Sequence, residues 1–237
     1  LDVMVVNGVS WPALEVEPDL YRFRLLHGCN ARFLNLALHV VNNGIKGEEV
    51  PFYQIGGDQS LLPNVTRVST GCKTALPGDG TIPPCEKASS PQEGLLMGPA
   101  ERADVIVDFS GLAAGTVVRM YNTGPDEPFG GFPVDNPADE NTTGQVMQFV
   151  VGNDTDDHIE ADHPADLVLS LPAASDAAIS VKRSDSQYLL GYRNGRVSSG
   201  NCCTSTNGAP GATSDASAVS ISTDVRTEKC PAGATSR

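Results

Sequence analysis

Apolar and polar residues alternate with a period of two through most of the chain up to Gly152. Tyr21, Phe23 and Leu25 alternate with Arg22 and Arg24, and Leu14 and Val16 alternate with Glu15 and Glu17 until Pro18 stops the run. Within 33–41, Leu34, Leu36 and Leu38 share one face, with Asn35, Ala37 and His39 on the other. Within 104–109, Val105, Val107 and Phe109 share a face. Shorter β-rich runs lie at 3–6, 52–55, 94–97, 116–122 and 145–151, and Gly, Pro, Asn and Asp separate them. A period of two in short runs bounded by turn residues predicts strands, each burying one face. The expected fold is all-β, a sandwich or Greek-key barrel in which two sheets cover each other. No segment carries a helical stripe.

The predicted core comprises Phe23, Leu25, Val105, Val107, Phe109, Val117, Phe149 and Val151. Arg22, Arg24, Glu101 and Arg102 are predicted at the rim, in ion pairs that set register more than stability. Residues 69–93 and 123–144 read as irregular, the second stretch pinned to the sandwich by Phe129 and Phe132. The character then changes. Residues 153–192 begin as an acidic linker, and 193–237 are rich in Ser, Thr, Gly and Ala. That tail has too little apolar surface to offset the entropy of ordering, so disorder is expected there.

The chain has 237 residues and a formal net charge of −13, which argues against nucleic acid and against anionic membranes as partners. No apolar run is long enough for a membrane-spanning helix. No basic segment followed by an apolar one opens the chain, so no secretion signal is expected in it, and Leu1 suggests a processed, trimmed or internally started product. Six cysteines are present. Cys72 and Cys85 flank a Pro/Gly loop and are expected to form a disulfide in an oxidising compartment, whereas Cys29 reads as a buried small hydrophobe. Asn64-Val-Thr, Asn141-Thr-Thr and Asn153-Asp-Thr match the glycosylation sequon, which matters in a eukaryotic secretory pathway.

Four stretches carry a resemblance: VNGVSWPALEVEPDLYRFRLLHGCNARFLNLAL (6–38), FYQIGGDQSLLP (52–63), LLMGPAERADVIVDFSGLAAGTVVRMYNT (95–123) and GQVMQFVV (144–151). Together they resemble the middle cupredoxin domain of three-domain multicopper oxidases, of the bilirubin-oxidase and spore-coat-laccase type. PAERADVIVDF and YRFRLLHGCNAR are the specific segments, and LVLSLPA (167–173) looks like the connection toward a third domain. The resemblance implies a cupredoxin-like domain over 1–152. It also implies an enzyme that oxidises phenols, bilirubin or metal ions and passes electrons to dioxygen through a type 1 copper and a three-copper cluster. The partners it implies are the first and third domains, which carry those sites in the family as His-x-His pairs and a His-Cys-His segment. The middle domain sets their separation and forms one wall of the substrate cleft. An extracytoplasmic or cell-surface location follows from the same resemblance and from Cys72 and Cys85.

The ligand inventory runs against copper in this chain. Its four histidines are His27, His39, His158 and His163; no two are separated by one residue, and no His-Cys-His occurs. Imidazole and thiolate suit copper only when several converge on one centre. The expectation is therefore no catalytic residue, no cofactor and no oxidase activity from this chain alone. His158, His163, Asp157 and Glu160 in the acidic linker form a weak candidate cation site, weighed against a plain solvated linker. Read two bases out of frame, codons permitted for 200–213 allow ELLYINERRPWGD, which resembles the opening strand of a third domain. A frameshift near 184–200 is the expectation drawn from it. Two alternatives of other classes stand beside this reading. One is a binding or self-assembling β-sandwich, as a homo-oligomer through faces that once met neighbouring domains. The other is a copper-independent hydrolase, although no Gly-x-Ser-x-Gly elbow is present.

Overall fold

The computed structural model describes residues 3–154, 162–170, 192–193, 196–197 and 218–224. Every regular element among them is a strand. The chain divides into two compact units, one of Leu1–Ser170 with Asp215–Arg237 and one of Leu171–Ser214. In the second unit the described residues form one short antiparallel hairpin, β14 (Tyr192–Arg193) with β15 (Arg196–Val197).

The first unit holds two sheets. The larger runs in the order β2 (Val9–Ser10), β1 (Val5–Val6), β16 (Ala218–Asp224), β4 (Leu20–His27), β11 (Arg102–Asp108), β7 (Phe52–Gly56), β8 (Leu61–Ser69), β9 (Cys72–Ala75). The smaller runs β10 (Leu95–Met97), β5 (Leu34–Asn42), β12 (Val117–Asn122), β13 (Gln145–Val151), β3 (Ala13–Val16), with β6 (Ile45–Val50) also paired to β5. Neighbours are antiparallel except β13–β3 and β1–β16. The expected all-β architecture is present, and the alternation in the sequence accounts for it. In the β4–β11 register Val105 lies opposite Phe23 and Val107 opposite Tyr21, which puts the apolar residues of both strands on one face. That face meets the inner face of the smaller sheet: the Phe149 ring lies 5.3 Å from both Phe23 and Phe109. Leu34, Leu36, Leu38, Val118 and Met120 complete the buried layer.

One predicted core position differs. Val118 and Met120 are buried on β12, and Val117 is half-buried on the other face. The turn before the strand, with Gly115 N–H donating to Val151 O (2.7 Å) and Thr116 N–H to Ala113 O (3.0 Å), delivers the chain one residue out of the expected phase. A single-residue slip exchanges the faces of a strand.

Four of the longer strands, β6, β8, β9 and β16, were hidden from the sequence pattern. β6 reads IKGEEV and carries too few apolar residues to alternate. A tight turn places it on β5, with Asn43 at φ 52° and Gly44 at φ 79°, the left-handed pair a two-residue hairpin requires. β8 and β9 form a hairpin that pairs Thr66–Ser69 with Cys72–Ala75, so part of the expected irregular stretch 69–93 is strand. Polar Lys73 and Thr74 obscure its period there. β16 lies inside the stretch 193–237 for which the sequence predicts no core. It pairs main chain to main chain with β4 and β1. Such pairing satisfies backbone donors and acceptors and needs no apolar side chain.

A second, smaller cluster packs Tyr53, Ile55, Val65, Leu76 and Ala165 with Ile106, Leu167 and Leu169. Residues 162–170 therefore lie against β7 and β8. The expected Cys72–Cys85 disulfide is formed, with Cα atoms 5.6 Å apart, and closes a loop of sequence separation 13. Closing a loop of this size stabilises a protein by roughly 3 kcal/mol through the unfolded chain. A reductant, or the double substitution Cys72→Ser with Cys85→Ser, should lower the urea midpoint accordingly. An unchanged midpoint would contradict the assignment.

Candidate functional site

The structure separates the histidines. His163 accepts a hydrogen bond at Nδ1 from Ala165 N–H (3.1 Å), has Nε2 3.6 Å from Asp108 Oδ2, and meets the Tyr53 ring edge to face. It anchors the segment 162–170 on the larger sheet. His39 lies on β5, with Nδ1 3.0 Å from Gly47 O and its ring edge to face with Tyr121. His27 ends β4 and is buried. The remaining members of the linker candidate, Asp157, His158 and Glu160, lie outside the described residues. Among the described residues no three His, Cys, Asp or Glu side chains gather as a metal site would need. No described histidine hydrogen-bonds a serine or threonine hydroxyl, so the hydrolase alternative gains no nucleophile and base from the geometry.

His27 is the electrostatic exception in the core. Neither ring nitrogen reaches a partner in good hydrogen-bond geometry. Burial holds its pKa below the ordinary 6.5, opposed by its own backbone, the Glu101 carboxylate and the Arg32 backbone, while the Arg32 charge lowers it further. The unfolded chain therefore binds the proton more readily than the folded one. Above pH 6.5 His27 is neutral in both states and adds no pH dependence, and stability falls as pH drops from there toward the depressed folded value. His27→Leu should flatten that part of the stability–pH curve, measured by urea unfolding across the range. An unchanged slope would assign it to other groups.

Glu93 shows the opposite case. It is buried, and burial pushes its carboxyl upward. Hydrogen bonds from Lys73 and from the Ser89 side chain and backbone, together with the Lys73 charge, outweigh burial and leave the pKa below 4.5. The carboxylate thus fastens β9 to the loop that leads into β10.

A shallow groove of about 290 Å³ is lined by Arg24, Leu25, Leu26, Gly57, Arg102, Ala103 and Asp104. Its charges are largely paired. Arg22 grips Asp104 through Nε (2.9 Å) and Nη2 (2.6 Å), and Arg102 lies 3.3 Å from Asp58. The groove holds no histidine or cysteine; of the four predicted rim residues Arg22 and Arg102 stand in ion pairs, and Glu101 instead accepts a hydrogen bond from Gly98 N–H (2.7 Å).

Sequence reasoning missed a buried polar node at the end of the smaller sheet. Asn35, on β5, donates from Nδ2 to Gln92 O and Thr123 Oγ1 (both 2.8 Å), and its Oδ1 accepts from Gly94 N–H (2.8 Å). Asn122, on β12, accepts at Oδ1 from the backbone N–H groups of Asn35 (3.0 Å) and Gly124 (2.9 Å). The node requires close approach of backbone. A Cβ on Gly94 would fall 2.6 Å from Leu36 O, and one on Gly124 would fall 2.7 Å from Phe33 O. The signal available in the sequence was the placement of Asn, Thr and Gly at strand ends, which turns also favour.

The node launches the long loop 123–144. Phe129 stacks on Phe33 at 5.0 Å and pins the loop as expected, while Phe132 meets Phe129 at 5.2 Å within the loop. Arg32 pairs with Asp126, Thr143 Oγ1 donates to Asp126 (2.6 Å), and Val134 N–H donates to Gln92 Oε1 (2.7 Å).

No protein-family model matches the chain. Individual relatives do. A multicopper oxidase LPR1 homolog 5 of Oryza sativa subsp. japonica is 39% identical over 150 residues, which are 63% of this chain and 18% of that protein. The bilirubin oxidase of Albifimbria verrucaria is 32% identical over 154 residues, 65% of this chain and 22% of that protein. A crystal structure of McoA multicopper oxidase from Aquifex aeolicus aligns at TM-score 0.42 and 28% identity, over 63% of this chain and 25% of that one. The chain thus spans 18% and 22% of the length of these two curated relatives. Multicopper oxidases use copper, and among the described residues no group of three His, Cys, Asp or Glu side chains that could hold a metal ion is found. His27 is enclosed in the core, His39 is committed to Gly47 and Tyr121, and His163 to Ala165 and Asp108. The long β-rich stretch that matches is a partial, cupredoxin-like domain whose homologues are multicopper oxidases, laccases and bilirubin oxidase among them.

Proposed function

We propose that this chain is the copper-free middle domain of a multicopper oxidase architecture, a rigid spacer that holds neighbouring copper-bearing domains apart and offers the loop 123–144 as a wall of a substrate cleft. The observation that carries the reading is a mismatch. Sequence identity of 32–39% to copper enzymes extends over about 150 residues. The chain nevertheless has four histidines, and those described are tied to different elements. A spacer needs a stiff sandwich and a well-held loop, and the phenylalanine core and the asparagine node supply both.

The test uses the purified full chain. After incubation with copper and removal of excess, metal analysis is expected to show no bound copper, and the chain should show no blue type 1 absorption and no oxygen uptake with a phenol. Stoichiometric copper with oxygen consumption would overturn the reading. Placing residues 1–152 between the first and third domains of a relative, in place of its own middle segment, should restore oxidase activity if the spacer role is right.

A further inference from the structure

We propose that Asn64 carries an N-linked glycan, and that this glycan guards the open part of strand β8. Asn64-Val65-Thr66 is a sequon, and Asn64 is exposed on β8 beside the exposed Pro63. Its side-chain amide makes no hydrogen bond among the described residues. The strand is open where the sequon begins. β9 pairs only with Thr66–Ser69 of β8, and the one further tie on that side is Leu76 N–H to Val65 O (2.7 Å). Of residues 61–64 only Leu61 is registered with β7, through Gly56; the rest fall in the irregularity between the Gln54–Thr66 and Gly56–Leu61 pairs, and no described strand pairs with 61–64 on the other side. An unpaired strand edge is a template for another chain, and folds usually cover or blunt it. A bulky, solvated glycan at Asn64 does this without altering the core.

The other two sequons are less available once folded. Asn141 donates from Nδ2 to Asp139 Oδ1 (3.0 Å), and Thr143 is buried with its hydroxyl on Asp126. Asn153 is exposed, but the threonine of its sequon, at position 155, lies outside the described residues. The Cys72–Cys85 disulfide supports the compartment, since disulfides form in the same oxidising lumen in which glycans are attached. The step itself is a substitution without redox change. The Asn64 amide nitrogen attacks the anomeric carbon of an oligosaccharide carried on a polyprenyl diphosphate, in the active site of a transferase. An N–C bond forms, the C–O bond to phosphate breaks, the lipid diphosphate leaves and the amide proton passes to a base of the transferase. A glycan there also requires the β8 edge to face solvent in any larger assembly.

The experiment secretes the full chain from a eukaryotic host and maps its peptides before and after a peptide N-glycosidase, which leaves aspartate where a glycosylated asparagine stood. Conversion at position 64 is expected. Asn64→Gln and Thr66→Ala should each remove one glycan-sized step in mass, and Thr66→Ser should retain it. Without the glycan, Asn64→Gln should also self-associate more by light scattering at equal concentration. An unmodified Asn64 in a secreted, disulfide-bonded chain overturns the proposal, as does occupancy confined to Asn141 or Asn153. If the variants fail to fold, the peptide map of the unmutated chain decides.

Discussion

Phe149→Ala is expected to lower the unfolding free energy by about 3–5 kcal/mol. Phe149 is fully buried on β13, and its ring touches Phe23 and Phe109, so it is the side chain that joins the two sheets. Truncation removes apolar burial and opens a cavity that neighbouring strands, fixed by their ladders, cannot close. Domains of this size have only about 5–15 kcal/mol in total, so a large part of the stability is at stake. The midpoint of urea unfolding should fall with an unchanged slope. Phe149→Leu, which keeps most of the volume, should lose much less and remains measurable if the alanine variant does not fold. A loss below about 1 kcal/mol for the alanine change would mean the facing sheets are not packed as described.

Asn35→Ala should cost about 3 kcal/mol or more, although it deletes only an amide. The reason lies in the groups left behind. Gly94 N–H loses its acceptor where it is buried and water does not replace it, and Gln92 O and Thr123 Oγ1 each lose a donor. Asn35→Asp is informative because it keeps the shape. The introduced carboxylate faces the Gln92 carbonyl with an acceptor instead of a donor, so the variant should be weakest at neutral pH and partly recover in acid, where a protonated oxygen donates again. Because Asn122 binds the same strand end, Asn35→Ala and Asn122→Ala should be strongly non-additive in a double-mutant cycle. Additive losses would show that the two asparagines act separately. The same variants should loosen the loop 123–144, and with it any cleft wall the loop provides.

The strands were legible wherever the alternation was strong. Tyr21 to Leu25, Leu34 to Leu38 and Val105 to Phe109 announce themselves because each buries one face, and burial imposes a period of two. β6 and β9 were not legible, since Glu48, Glu49, Lys73 and Thr74 break the apolar alternation although Val50, Cys72 and Thr74 are buried. Val117 shows a further limit: composition says that a valine of β12 is buried, but the phase depends on where the preceding turn releases the chain. For the candidate site, the histidine inventory could be taken from the sequence alone. That His163 would rest against Tyr53 and Asp108 could not, because those residues lie far from it along the chain and meet only when 162–170 folds back.

By itself, then, the chain determines an all-β sandwich, the residues of its phenylalanine core, the Cys72–Cys85 staple and a kinship with copper oxidases. These are local properties: period, turn chemistry, short-loop closure and motif content. The tertiary structure alone decided the Asn35–Asn122 node, the docking of 162–170, the insertion of Ala218–Asp224 between β1 and β4, and the open stretch of β8 at Asn64. Each depends on which backbone donors and acceptors come to face one another across long separations. Main-chain hydrogen bonding is the same for almost every residue type, so it leaves little trace in the order of side chains.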